Sequence, residues 1–117
     1  MFKKNHNQSM GQYGENIAKK YYQELGYEII AQNYHSRYGE IDLLCKKEGL
    51  ILIVEVKTRQ GNRYGYGEEI INNQKIKGLI HTYQIFAAIH NLPNYFDIEI
   101  CVIELKNQEK TIKRFLL

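Results

Sequence analysis

The chain has 117 residues, with 16 Lys and Arg against 13 Asp and Glu, and a formal charge of only +3. Its length fits one domain, and 44% hydrophobic and 25% charged residues exclude a disordered or low-complexity chain. No run approaches the roughly 18 apolar residues of a membrane span, and no apolar stretch follows Lys3 and Lys4. The sequence therefore predicts a cytoplasmic protein with no secretory leader and no membrane partner. Cys45 and Cys101 have no second Cys or His at metal-ligand spacing and read as small core residues.

Residues 1–8 are polar and basic and are expected to form a flexible arm ahead of a single domain over 9–117. Ser9 and Gln12 have the spacing of a capping box. Ile17, Ala18, Tyr21, Tyr22 and Leu25 follow at helical spacing until Gly26, which predicts a helix over 10–25. Tyr27 to Asn33 reads as a short strand. Gly39 to Lys47 and Leu50 to Lys57 are strand-like runs joined by Glu48-Gly49, a two-residue hairpin loop. A Gly-rich loop is expected from Thr58 to Gly67, then a helix from Glu68 to Asn91 with an apolar stripe through Ile76, Leu79, Ile80, Tyr83, Phe86 and Ala87. Phe96, Ile98, Ile100 and Val102 alternate as a fourth strand. A polar turn over Asn107 to Lys110 leads to a fifth strand over Thr111 to Leu117. The order is α-β-β-β-α-β-β, an α/β fold with a mixed sheet of four to five strands.

The hairpin carries the chemistry. With Glu48-Gly49 as its loop, opposed residue numbers sum to 97. That register puts Ile41, Leu43 and Cys45 opposite Val56, Val54 and Leu52 on a wholly apolar core face. It puts Asp42 opposite Glu55, and Glu40 opposite Lys57, on the other face. Two opposed carboxylates flanked by Leu44, Ile51 and Ile53 need a counter-charge. Lys57 offers one. A hard divalent cation such as Mg²⁺ offers a better one, because it takes carboxylate oxygens. A solvated cluster of surface ion pairs is the alternative reading of the same residues.

Asp42, with Glu55-Val56-Lys57 thirteen residues on, resembles the PD-(D/E)XK nuclease signature. Gly39-Glu40-Ile41-Asp42-Leu43, Val54-Glu55-Val56-Lys57-Thr58-Arg59 and the helical Gly14-Glu15 are similar to the YraN-type family of small bacterial proteins, a likeness that covers about residues 11–105. The resemblance implies a restriction-endonuclease-like core related to Holliday-junction resolvases. It also implies Mg²⁺, with Mn²⁺ as a substitute, held by Asp42, Glu55 and the Val56 carbonyl. Glu15 or Glu40 would supply an extra ligand, and Lys57 would act on the attacking water and the phosphate. It further implies a homodimer acting on DNA, in branched or structured form.

Arg59 and Arg63 in the loop, and Gln74, Lys75 and Lys77 near the start of the second helix, are candidate phosphate contacts. Tyr64 and Tyr66 are candidates for stacking or packing. His35, His81 and His90 have no ligand spacing. The mild net charge does not exclude nucleic acid. With Glu15, Glu40, Asp42 and Glu55 assigned to one pocket, 16 cations face nine remaining acids, a balance of +7. A metal-dependent nuclease, a non-catalytic nucleic-acid-binding accessory and a protein-interaction module all remain open at this point.

Overall fold

The tightest local instruction in the chain is Glu48-Gly49. Both residues take positive φ, 52° and 82°, the backbone of a type I′ turn that matches the twist of its flanking strands. In the computed structural model, which describes residues 6–61 and 72–117 (side chains from Met10 onward), this turn joins β2 (Gly39–Lys47) to β3 (Leu50–Gln60). The ladder from Lys47–Leu50 to Leu43–Val54 has the expected register. Ahead of it lie α1 (His6–Glu24) and β1 (Glu28–Ser36); after it come α2 (Asn73–His90), β4 (Asp97–Lys106) and β5 (Glu109–Leu116).

Among the described residues there is one sheet, in the order β1-β2-β3-β4-β5. The β3–β4 pair is parallel and the other three pairs are antiparallel. Parallel neighbours need a crossover, and α2 lies on it. The strand runs Ile51–Glu55 and Ile98–Ile103 are buried throughout, as expected for strands covered on both faces. On one face α1 places Ala18 and Tyr22 over Leu43, Cys45, Leu52, Val54, Cys101 and Ile103. On the other, α2 places Leu79, Tyr83, Phe86 and Ala87 over Ile41, Leu44, Ile51, Ile53 and Ile98. Both cysteines are free and fully buried, as read from the sequence, and burial pushes the Cys45 thiol up to about 12.

Two close approaches set the helices. A Cβ on Gly14 would collide with Thr58 Oγ1, so α1 lies directly on β3. A Cβ on Gly78 would meet the Tyr38 carbonyl at 2.5 Å, so α2 lies directly on the β1–β2 turn. The C-terminus of α1 closes as a Schellman motif: Gly26 N–H donates to Gln23 O, and Tyr27 N–H donates to Tyr22 O.

The structure corrects several expectations. α1 begins at His6, inside the expected arm, and runs through Ser9, which therefore is not its cap. β1 extends to Ser36. β3 continues through Thr58, Arg59 and Gln60, where a loop was expected, because the parallel ladder with β4 runs on to Gln60–Leu105. Ile41 does not share a face with Leu43. It packs with Leu44 under α2, because alternation breaks at Asp42, opposite the left-handed Asn33 (φ 52°) of β1. The expected start of the second helix at Glu68, and Arg63, Tyr64 and Tyr66, lie outside the described residues. Among the described residues no helix is long and apolar enough to cross a membrane.

Candidate metal centre

The β2–β3 ladder ends at Leu43–Val54 although both strands continue. Beyond that point β2 stays paired with β1, and β3 stays paired with β4. The hairpin therefore forks, and the direct Asp42–Glu55 and Glu40–Lys57 pairings expected from the register are not made. The Val56 N–H that loses its partner in the ladder is taken up by the Asp42 side chain, which accepts it at Oδ2 over 2.8 Å. Asp42 thus serves as a substitute strand acceptor, and the fork becomes a polar notch inside a hydrophobic hairpin.

Four elements converge on this notch. β3 supplies Glu55, only 4% exposed, and Lys57. Lys57 Nζ lies 3.3 Å from Glu55 Oε2. Lys75 Nζ reaches the same oxygen at 2.7 Å from the first turn of α2. Asn72 fixes that turn by accepting the Lys75 backbone N–H at 2.8 Å. α1 supplies Glu15, whose side chain hydrogen-bonds Asn33. β2 supplies Asp42 and, farther along, Glu40, which pairs with His35 at 3.3 Å instead of with Lys57.

The charges in the notch are unbalanced in a specific way. Burial, then the nearby Glu55 carboxylate, pushes the Asp42 carboxyl up to about 7 against the opposing pull of the Val56 N–H bond. Burial, then Glu40 and Glu55, raises Glu15, and the Asn33 bond offsets part of that. Burial and the neighbouring Lys75 lower Lys57, while Glu55 pulls the other way. For Lys75, burial opposes the charge but the hydrogen bond and attraction to Glu55 prevail, and its pKa is raised. Both ammonium groups contact Glu55, whereas Asp42 has Glu55, Glu15 and Glu40 near it and only the longer-range attraction of Lys75 in its favour.

A hard cation is chemically compatible with this donor set: two carboxylates on adjacent strands, with an Asp42 charge that Lys75, already paired with Glu55, offsets only in part. Among the described residues no three His, Cys, Asp or Glu side chains gather into a cation cage. Glu15 therefore does not close a third carboxylate onto Asp42 and Glu55. A cation at the fork would complete its shell with water, as Mg²⁺ commonly does.

The residues read as phosphate contacts separate. Lys75 is inside the notch on Glu55. Gln74 and Lys77 are exposed near the start of α2. Arg59 lies on β3 opposite Glu104 of β4, not in a loop. The place of Lys75 escapes sequence reading because the sequence does not reveal which turn of α2 crosses the fork; Gly78, one turn later, is the available signal for close packing.

Uncharacterised protein family UPF0102 matches residues 14–105 of the chain. A UPF0102 protein of Clostridium botulinum (strain 657 / Type Ba4) is 36% identical over 111 residues, which is 92% of this chain and 90% of the relative. One of Vibrio parahaemolyticus is 33% identical over 103 residues, 88% of this chain and 85% of the relative. One of Syntrophomonas wolfei is 45% identical over 73 residues, and the match spans 62% of this chain and 64% of that protein. The matched span contains α1 from Gly14, the whole forked hairpin and the Lys75 turn, and with these relatives it establishes that the chain belongs to the UPF0102 family, in agreement with its YraN-type resemblance.

Proposed function

We propose that this protein is a Mg²⁺-dependent nuclease that hydrolyses phosphodiester bonds of DNA, with the PD-(D/E)XK residues Asp42, Glu55 and Lys57 at its centre. The observation that carries the reading is the forked hairpin. It brings an acid whose ionised form burial and Glu55 disfavour, a buried acid and a half-buried lysine together where the sheet opens. Asp42 and Glu55, with the Val56 carbonyl, would hold the cation. Bound there, it would lower the pKa of a coordinated water and draw charge from the phosphate. Glu15 and Glu40 add negative potential that favours a divalent ion.

Lys57 and Lys75 do the complementary work. Their two ammonium groups meet at one Glu55 oxygen and so present paired positive charge at the rim of the notch. A phosphate entering there meets preorganised donors, the arrangement that stabilises charge developing in a transition state. Exposed Gln74 and Lys77 on the adjoining turn are suited to phosphates on either side.

A second reading, a non-catalytic DNA-binding accessory that keeps the same fold, is favoured by one fact: Glu55 already has two lysine partners and needs no metal for its own neutralisation. A nuclease screen in Mn²⁺ across single-stranded, duplex, flap and four-way-junction DNA separates the two. The nuclease reading expects cleavage of at least one substrate by the wild type and none by Asp42→Asn. Binding without cleavage in every case would favour the accessory, and undiminished cleavage by Asp42→Asn would rule out this centre.

A further inference from the structure

The β1–β2 turn sets Arg37 and Tyr38 against His81 of α2, a cluster that the proposed centre does not use. The Arg37 guanidinium donates to the Tyr38 hydroxyl at 2.9 Å and lies 5.1 Å from the centre of its ring. The same ring meets the His81 ring at 4.9 Å between centroids, tilted by 66°. We infer that Arg37, His81 and the neighbouring Lys77 form a phosphate-binding subsite for the DNA backbone, about two to three nucleotides from the phosphate in the notch, with Tyr38 positioning Arg37. The inference rests on the nuclease reading and gives its substrate a second anchor that is indifferent to base sequence.

The cluster lies on the side of the sheet that holds the two lysines. Ile51 and Ile53 pack under α2, so Glu55 and Lys57 farther along β3 face the same way, and Lys75 of α2 reaches Glu55 there. The turn is fixed to α2 on either side of His81. A Cβ on Gly78 would meet the Tyr38 carbonyl at 2.5 Å, and the Ser36 and Thr82 hydroxyls are hydrogen-bonded at 2.7 Å. Ser36 Oγ also accepts the Tyr38 N–H at 3.0 Å. Along α2, His81 follows Lys75 by about 9 Å at the rise of a helix. Successive phosphates of one strand advance by about 3.4 Å.

The charge of this surface has one sign. α2 contains no Asp or Glu, and its exposed positions Gln74, Lys77, His81 and Gln84 recur at helical spacing with a donor on each side chain. The first acid after the turn, Glu40, is occupied by His35 at 3.3 Å. Because Tyr34 and Ser36 face α2, that pair projects to the opposite side. Among the described residues no carboxylate pairs with Arg37, Lys77 or His81. Arg37 is exposed, and the Tyr38 bond uses one of its five N–H donors. A guanidinium held in this way loses less freedom on meeting a phosphate than an untethered one. His81 lines a shallow depression of about 360 Å³ with Gln84, Ile85 and Ala88, which leaves room for a strand beside it. The Tyr38 ring is engaged by Arg37 and His81, so the subsite contacts phosphates and not bases, and serves duplex and single strand alike.

The test is fluorescence anisotropy with labelled duplex and single-stranded DNA of one sequence, over a range of salt, in EDTA so that no cleavage occurs. Arg37→Gln with Lys77→Gln is expected to flatten the duplex salt dependence by about 1.8 log units per log unit of salt, roughly 0.9 for each lost phosphate contact, and the single-strand dependence by about 1.4. His81→Ala is expected to weaken binding of both DNAs by about 2- to 10-fold, the loss of one hydrogen bond. Tyr38→Phe keeps the ring but releases Arg37; it is expected to weaken binding in the wild-type background and to change nothing once Arg37 is replaced by Gln. Lys19→Gln with Lys20→Gln removes the same charge from α1, on the opposite face, and is expected to leave the slope near that of the wild type. Equal flattening by that pair would overturn the subsite in favour of net charge alone. An unchanged slope in Arg37→Gln with Lys77→Gln, with wild-type binding intact, would overturn the subsite and leave the nuclease reading standing. Failure of the wild type to bind any DNA would overturn both together.

Discussion

Replacing Asp42 with an asparagine should make the protein more stable at pH 8, contrary to the usual effect of altering a buried polar group. The Asp42 carboxyl titrates near 7 in the fold against an ordinary value of 3.8. Between those two values the folded chain keeps a proton that the unfolded chain has released. Stability therefore falls as pH rises through that window, and above about 7 the deficit is constant. If nothing relaxes, it reaches on the order of 4 kcal/mol at pH 8 as an upper bound. In Asp42→Asn the side-chain amide would still offer an oxygen to the Val56 N–H but would carry no charge beside Glu55, so the variant escapes most of the deficit. Thermal melts in EDTA at pH 5 and pH 8 read this out. Asp42→Asn should already be the more stable at pH 5, and its lead in melting temperature should widen by roughly 10 °C between pH 5 and pH 8. A shallower decline persists in the variant because Glu15 is raised in the same sense. Parallel decline of the two proteins, or a wild type that is the more stable at pH 8, would refute the reasoning.

Other outcomes follow from single contacts. Lys75→Met leaves buried Glu55 with Lys57 alone; because the Lys75 side chain is itself 39% exposed, the loss in a urea melt should be only about 1–2 kcal/mol. The same variant should cut cleavage at least tenfold in single-turnover assays, since it removes one of two charges at the phosphate's entry. Gly14→Ala should destabilise by about 1–3 kcal/mol through its clash with Thr58 Oγ1, and adding Thr58→Ala should restore much of it. Tyr22→Phe removes the donor that meets Glu99 Oε1 at 2.8 Å. It should cost about 1.5–3 kcal/mol by chemical denaturation, although Arg114 still clasps Glu99 through two bonds of 2.9 Å.

What the sequence reveals is local, and what it conceals depends on packing. The Glu48-Gly49 turn specifies its own φ values and thereby the register of ten paired residues. The alternation of Ile98, Ile100 and Val102 likewise locates β4. The fork is not legible, because a register carried on past Leu43 places Asp42 opposite Glu55, and only the departure of β2 with β1 frees Val56 N–H for the Asp42 side chain. Thr58, Arg59 and Gln60 look like loop residues until β4 pairs with them in parallel. Lys75 looks like a surface cation because its role depends on where α2 rests. Glu99 looks out of place between Ile98 and Ile100; it is buried with Tyr22 and Arg114 as partners, contributed by α1 and β5, the two elements farthest apart in the chain. Asp42, Glu55 and Lys57 could thus be grouped from the sequence, while the geometry that joins them and the second lysine on Glu55 could not.

The nuclease reading depends on whether Asp42 and Glu55 hold a divalent cation. The most direct measurement is calorimetric titration of Mn²⁺ into the wild type and into Asp42→Asn at pH 8, where Asp42 is ionised. Saturable binding to the wild type, with a rise in its melting temperature, and neither effect in Asp42→Asn, is the predicted result. The same heat and the same shift in both proteins, or no binding by either, would contradict the account.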